Sequence, residues 1–287
     1  MKDYYSHFTA AQIWNIPYIE AVLGDKFGEN NKTHITVSKN NTRLNRSGKI
    51  YHSCELALPP EAVLVRKGIT VASPELLFLE FASELDLHRL ILLGLQLCSH
   101  PPGCPSVAIT TTQKIDSFLA RIVGHKGQSK AIRAMKHVKN GSASIMESLA
   151  YMILSLPNAL GGYGLNGCDF NYEVVLRSEM KQRLGKHRCF TDLYYKKAGL
   201  AIEYDSFTYH NKPSEQGKDS MRAAALERQG IDVMRMSTIQ LYDENACRDF
   251  AYNLAARVGK RIQIRTKKFE QMHAVLRQLL PARPETV

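Results

Sequence analysis

Thr191-Asp-Leu-Tyr-Tyr-Lys-Lys-Ala-Gly-Leu-Ala-Ile-Glu-Tyr-Asp205 reads as two apolar strands folded back through a Lys-Lys-Ala-Gly turn. A turn centred between Lys197 and Ala198 sets Asp192 opposite Glu203, and directly opposed side chains of an antiparallel pair lie about 5 Å apart. Strand side chains alternate with a period of two, so Ala201, Glu203 and Asp205 share one face while Leu200, Ile202 and Tyr204 share the other. The hairpin therefore gathers three acids at one spot. Like charges that close are unfavourable unless one is protonated or a cation is bound, so the pattern points to a hard divalent metal with oxygen ligands.

The rest of the composition is that of a packed, water-soluble chain. Its 287 residues suffice for two domains, and a hydrophobic content of 44% excludes disorder over most of the length. The longest apolar runs, such as Leu90 to Leu97, are too short to cross a bilayer, and the polar opening Met1 to His7 does not fit a secretory signal. The expectation is a cytoplasmic protein with no membrane partner. Cys54, Cys98, Cys104, Cys168, Cys189 and Cys247 form no CxxC pair and no dense pattern, which reads as free thiols in a reducing compartment. Cys98, His100 and Cys104 lie close enough in sequence to suggest zinc, but no fourth ligand or second tight pair accompanies them.

A net charge of +11 and a pI near 9.3 favour polyanionic partners. The charge is unevenly spread. From Ser117 to Met146 there is no acid, while Arg121, Lys126, Lys130, Arg133, Lys136 and Lys139 are present. From Ala251 to Phe269 there is again none, with Arg257, Lys260, Arg261, Arg265, Lys267 and Lys268. Either run alone reads equally well as a solvated helix face. Flanking a candidate metal site, the two together fit phosphate-backbone contacts.

The chain divides near residues 110 to 140, giving a smaller mixed α+β domain over 1–110, a basic helical connector over 111–140 and a second domain over 141–287. The first has helices at Thr9 to Trp14, Ser73 to Leu85 and Asp86 to Cys98, with short strands at Thr33 to Ser38, Lys49 to His52 and Ile69 to Ala72. Trp14 reads as packing rather than a base-stacking platform. The connector carries helices at Gln113 to Val123 and Ser129 to Val138. In the second domain Ser144-Ile-Met-Glu147 is a capping-box pattern that opens an apolar helix closed by Pro157. Strands follow at Tyr172 to Arg177, Arg188 to Tyr195 and Leu200 to Asp205, then a helix over Lys218 to Gln229, a strand over Ile231 to Met236, and helices over Ile239 to Val258 and Lys267 to Leu279. This α-β-β-β-α-β-α-α order favours one mixed sheet with helices on its faces.

A helix with Glu147, a strand with Asp192 and a strand with Glu203-Tyr-Asp205, then a helix and a strand, resembles the core of the PD-(D/E)XK nuclease superfamily. Tyr209-His210, Lys218-Asp219-x-x-Arg222, Leu226, Gly230 and Val233-x-Arg235 are similar to the very-short-patch-repair-like endonuclease-related domains, although Ser206 stands where those domains commonly have glycine. Ser6-His-Phe-Thr-Ala-Ala-Gln-Ile-Trp-Asn-Ile-Pro17, His34-Ile-Thr-Val37 and Gly68-Ile-Thr-Val-Ala-Ser-Pro74 resemble an abortive-infection antitoxin-like regulator domain. Together the resemblances cover nearly the whole chain. They imply an α/β (α+β) protein with a C-terminal restriction-endonuclease-like mixed sheet and a smaller α+β regulatory domain before it.

The resemblance further implies that Asp192 and Glu203 coordinate Mg²⁺ or Mn²⁺, with Glu147 reaching the same centre from the preceding helix. Asp205 occupies the position where the superfamily usually has lysine, which leaves the water-activating cation to Lys218 or, as acid, base or orienting group, to His210. Arg222 would clamp phosphate or brace an acid. Plainer roles stand beside these: Glu147 as a capping residue of its own helix, Asp205 as the start of a turn, His210 as a surface-loop residue, and Lys218 with Arg222 as a solvated i, i+4 face. The function expected is metal-dependent DNA cleavage in defence, repair or mobile-element biology, with a protein partner or homodimer formed through the N-terminal domain. The alternative is a DNA-binding regulator that keeps the nuclease-like fold as a scaffold.

Overall fold

The computed structural model describes residues 3–24, 32–38, 48–177, 185, 187–205, 213–265 and 267–282. It is an α+β protein of two compact units, Met1–Ser99 with Val107–Asn140, and His100–Ser106 with Gly141–Val287. Among the described residues no helix is long and apolar enough to cross a membrane. All six cysteines are free.

In the first unit the strands β1 (Tyr4–Tyr5), β2 (Thr33–Val37), β3 (Lys49–Ser53), β4 (Val63–Arg66) and β5 (Ile69–Ala72) form one mixed sheet in the order β3-β2-β1-β5-β4. Helices α1 (His7–Trp14) and α2 (Ile19–Leu23) lie between β1 and β2 in the chain. The core is built on α3 (Pro74–Phe81), whose Leu76, Leu77, Phe78, Leu79 and Phe81 are all fully buried. The Ser73 hydroxyl oxygen accepts from the Leu76 N–H at 3.2 Å and Pro74 takes the first helical position, as that cap pattern requires. Helix α4 (Leu87–Leu97) starts on Asp86, which accepts from the Arg89 N–H at 3.0 Å. Trp14 is tied down, its Nε1–H donating to the Ala72 carbonyl at 2.8 Å under the Arg66 guanidinium, 4.5 Å from the ring centroid.

Residues 111–140 are not a connector. Helices α5 (Thr112–Arg121) and α6 (Gln128–Met135) belong to the first unit because their apolar faces are spent on its core: Ile115, Phe118, Leu119, Ala131 and Ala134 are buried. Gly94 of α4 makes the approach possible, since a β-carbon there would sit 2.6 Å from Val138 Cγ2.

In the second unit α7 (Ile145–Ser155) precedes strands β6 (Asp169–Val175), β7 (Arg188–Tyr195) and β8 (Leu200–Asp205); α8 (Pro213–Glu227) leads to β9 (Asp232–Ser237). The sheet order is β6-β7-β8-β9, antiparallel except for the parallel β8/β9 pair. Gly199, with φ of 60°, closes the hairpin after a tight 3₁₀ turn over Lys196–Ala198. Tyr194 and Ala201 face Ala225 and Leu226, so α8 covers that side of the sheet. The helix expected over Ile239–Val258 is instead two, α9 (Thr238–Tyr242) and α10 (Glu244–Arg257). Asp243 separates them with an extended backbone, and its side chain accepts from the Ala246 N–H at 2.8 Å to start the second. Helix α11 (Phe269–Arg277) closes over Gly161, whose carbonyl accepts a 2.6 Å hydrogen bond from His273 Nδ1.

Candidate functional site

The β7/β8 ladder pairs Leu193 with Ile202, Tyr194 with Ala201 and Tyr195 with Leu200. Continued by one residue, that register sets Asp192 across from Glu203. Instead of extending the ladder there, Asp192 Oδ2 accepts the Tyr204 N–H at 2.7 Å, which fixes the carboxylate against the neighbouring strand. On the other side, β6 and β7 pair Phe170 with Leu193 and Tyr172 with Thr191, stepping over Asn171 and Asp192. Asn171 has a left-handed φ of 43°, tolerated better by asparagine than by most residues. Its amide donates to the Gly141 carbonyl at 2.9 Å and to Glu147 Oε2 at 2.8 Å.

Glu147 sits in the first turn of α7 and is buried. It serves as a cap: Ser144 Oγ accepts the Glu147 N–H at 3.1 Å and donates to Oε1 at 3.0 Å, while Oε2 accepts the Ala143 N–H at 3.0 Å. The same carboxylate feels Asp192. Burial first, then the negative charge of Asp192, push its pKa up against the pull of its three hydrogen-bond donors. Glu203 is displaced upward by burial, by Asp192 and more weakly by Glu147, with Arg222 and Arg235 opposing. Asp192 is raised by burial, and the Tyr204 N–H and Arg222 counter part of that. Glu147 therefore caps its own helix and also lies near enough to Asp192 to feel its charge.

Arg222, from α8, bridges the group: Nη2 lies 3.0 Å and 2.9 Å from the two Glu203 oxygens and also donates to the Phe190 carbonyl. Glu203, Tyr204, Asp205, Arg222 and Arg235 line one small cavity on the sheet. Asp192 and Glu147 are not among its lining residues. Among the described residues, the one group that brings three His, Cys, Asp or Glu ligand atoms within 4.8 Å of one another is His7, His34 and His52 in the first unit.

No family model, no curated protein and no solved structure matches this chain.

The remaining sequence-predicted residues fall in several places. His210 lies outside the described residues. Lys218 is on α8, four residues before Arg222, and its side chain lies outside the description. Lys126, Arg133 and Lys136 are exposed on the first unit, and Arg261, Lys267 and Lys268 on the second. Lys130 differs from the expectation of a phosphate contact: it is half-buried and its ammonium donates to the Leu85 carbonyl at 2.8 Å, so it fastens α6 to the chain after α3. Asn171 has no counterpart in the sequence reading, and Arg235 enters it only as part of the Val233-x-Arg235 motif, without a role. An asparagine before an aromatic in a strand carries no signal of its own, and Arg235 joins the acids only through the parallel pairing Glu203–Arg235.

Proposed function

We propose that this chain is a divalent-metal-dependent endonuclease that hydrolyses phosphodiester bonds in DNA. The observation that carries the reading is the grouping of Glu147, Asp192 and Glu203, three carboxylates from three separate elements, each with its charged form disfavoured by burial, and with Glu147 and Glu203 both disfavoured further by the charge of Asp192. Structural acids are normally neutralised by cations or donors one for one. Here Arg222 offsets Asp192 and Glu203, Arg235 adds to it at Glu203, and Glu147 faces no cation, so three acids meet two cations and the remaining negative charge fits a hard cation. The α7-β6-β7-β8-α8-β9 order, which the resemblance to the PD-(D/E)XK superfamily requires, supports the same reading.

Asp192 and Glu203 would hold Mg²⁺ or Mn²⁺, with Glu147 contributing from α7; the bound ion would supply charge neutralisation at phosphate and a water of lowered pKa. The chain's own residues do the positioning. The Tyr204 N–H keeps one Asp192 oxygen directed along β8 and leaves the other for a ligand. Arg222 orients Glu203 and leaves part of its guanidinium toward the cavity, where it can meet a phosphate oxygen. Arg235 adds positive charge on the next strand. The exposed cations of both units supply the sequence-independent attraction to a nucleic acid backbone.

A second reading rests on a specific observation. Each Glu147 oxygen already has donors in its own cap and on Asn171, and Glu203 is paired with Arg222, an arrangement that suits a regulator binding DNA without cutting it. Plasmid nicking or linearisation in Mn²⁺, with Asp192→Asn and Glu203→Gln beside the wild type, separates the two. Salt-sensitive DNA binding without metal-dependent cleavage of duplex, mismatched or single-stranded DNA selects the regulator.

A further inference from the structure

The first unit holds a histidine cluster that the nuclease reading does not use. His34 and His52 lie on the parallel strands β2 and β3, where His34 pairs with Ile50 and Thr36 with His52. The two histidines therefore stand diagonally on one face. His34 Nδ1 is 2.9 Å from His52 Nε2. The His7 ring stacks on His52 at 3.7 Å between centroids, 14° from parallel. His7 is placed there by an unusual backbone: it opens α1 with φ of 47°, a left-handed value that a residue with a β-carbon adopts only under constraint.

Several polar atoms here lack the partners that burial demands. His7 and His34 are buried, and His7 Nδ1 and His34 Nε2 make no hydrogen bond. Imidazole binds a metal through a deprotonated ring nitrogen, and the three rings bring such nitrogens together. Glu80, fully enclosed, accepts the His7 N–H at 3.2 Å and the Tyr4 hydroxyl at 3.2 Å, and lies 3.8 Å from His7 Nδ1. Glu84 lies 3.3 Å from His7 Nε2.

We propose that His7, His34 and His52 form a site for a borderline divalent transition metal of the zinc class, separate from the carboxylate centre. One nitrogen from each ring lies within 4.8 Å of the others. The 2.9 Å between His34 Nδ1 and His52 Nε2 spans an angle of about 90° at a metal–nitrogen distance of about 2.05 Å, within reach of four- and five-coordinate geometry. All-imidazole donors favour zinc, copper, nickel or iron over magnesium, which prefers oxygen. Glu80 fixes the His7 backbone by accepting its main-chain N–H. Beyond His7 and His52 a cavity of ≈540 Å³, also lined by Cys54, Glu84, His125 and Lys126, leaves room for a water or small anion in the remaining position.

The proposal is independent of the nuclease reading, and one experiment keeps them apart. The full chain is stripped with chelator, incubated with Zn²⁺, desalted and assayed for bound metal, alongside Asp192→Asn/Glu203→Gln, His34→Gln and His52→Gln. The expected result is about one Zn²⁺ per chain in the wild type and in the carboxylate variant, and at least a ten-fold loss in each histidine variant. Co²⁺ in place of Zn²⁺ is expected to give visible d–d absorption with imidazole ligation in the wild type, a readout that needs no variant to fold. The proposal is overturned if the wild type retains no Zn²⁺, if His52→Gln retains as much, if the carboxylate variant alone loses it, or if the Co²⁺ spectrum is that of the aqueous ion.

Discussion

Arg222→Met removes the one side chain that serves both Glu203 and the β7 backbone, while the methionine keeps most of the apolar stem. The guanidinium meets the Glu203 oxygens at 2.9 and 3.0 Å, with Arg222 34% and Glu203 16% exposed. A hydrogen bond to a charged group contributes about 1.5–3 kcal/mol, and partial exposure of the arginine takes the lower half of that range. Loss of the donor to the Phe190 carbonyl adds about 1 kcal/mol. The sum, about 2.5–3 kcal/mol, corresponds to a melting temperature lower by about 4–5 °C for a chain of this size. Thermal unfolding of wild type, Arg222→Met, Glu203→Gln and the double variant in metal-free buffer measures it. Most of the loss arises because Glu203 is left buried beside Asp192 and Glu147, so the double variant should recover about 1–2 kcal/mol relative to additivity. Additive losses, with a coupling under about 0.5 kcal/mol, would show that Arg222 does not act through Glu203 and would remove the argument for a charge-frustrated centre.

Asp192→Asn should lower Mn²⁺-dependent cleavage by about 100-fold or more yet leave the metal-free melting temperature unchanged or higher. One of three repelling charges is gone, and the amide oxygen still accepts the Tyr204 N–H; a fall of more than about 5 °C would count against it. Asn171→Ala should cost about 1–3 kcal/mol through the lost amide and the left-handed backbone, and Asn171→Gly should regain about 1 kcal/mol of that. Equal stabilities for the two would refute the backbone part. Gly161→Ala places a β-carbon 2.4 Å from the Met272 carbonyl carbon, so α11 must lift; a loss above about 3 kcal/mol in urea unfolding is expected. His273 is buried and held neutral below the usual imidazole pKa, with the Gly161 carbonyl only partly opposing. The unfolded chain binds a proton that the folded chain refuses as pH falls below the ordinary imidazole range, so stability drops there by up to about 1.4 kcal/mol per pH unit. His273→Gln should flatten that acid limb, and an unchanged slope would discount His273 as its source.

What could be read from residue order was whatever local chemistry decides. The Lys-Lys-Ala-Gly turn, the alternation of β7 and β8 and the Ser144 cap lie within a few residues of their causes, and the strands Arg188–Tyr195 and Leu200–Asp205 fall where that alternation predicts. Strand β1 is two residues long and has no period to detect; β4 follows a proline pair and forms only because β5 offers it a partner. The α5 and α6 helices look basic and solvated in sequence because their buried stripe is narrow. The site shows the same division. Asp192 opposite Glu203 follows from the turn, whereas the Arg222 bridge, the Asn171 clamp and the His7, His34 and His52 cluster join residues from distant segments that only tertiary packing brings together.

The chain leaves the first unit at residue 99, returns at 107 and leaves again at 140, so each unit is discontinuous in sequence. A single nick in 100–106 cannot set either half free, because a second covalent thread remains. A fragment starting at Gly141 would lack Gly103, which packs against Phe190, and His100, whose N–H satisfies the Ser142 carbonyl at 3.0 Å. A fragment ending at Ser99 would lack the helices that cover α3 and α4. During synthesis the first unit cannot close until Asn140 has emerged, by which time the opening strand of the second is only a few tens of residues away from completion. The second unit still needs β7, β8 and β9, out to Ser237, and exchanging one unit without the other would require breaks at three places, after residues 99, 106 and 140.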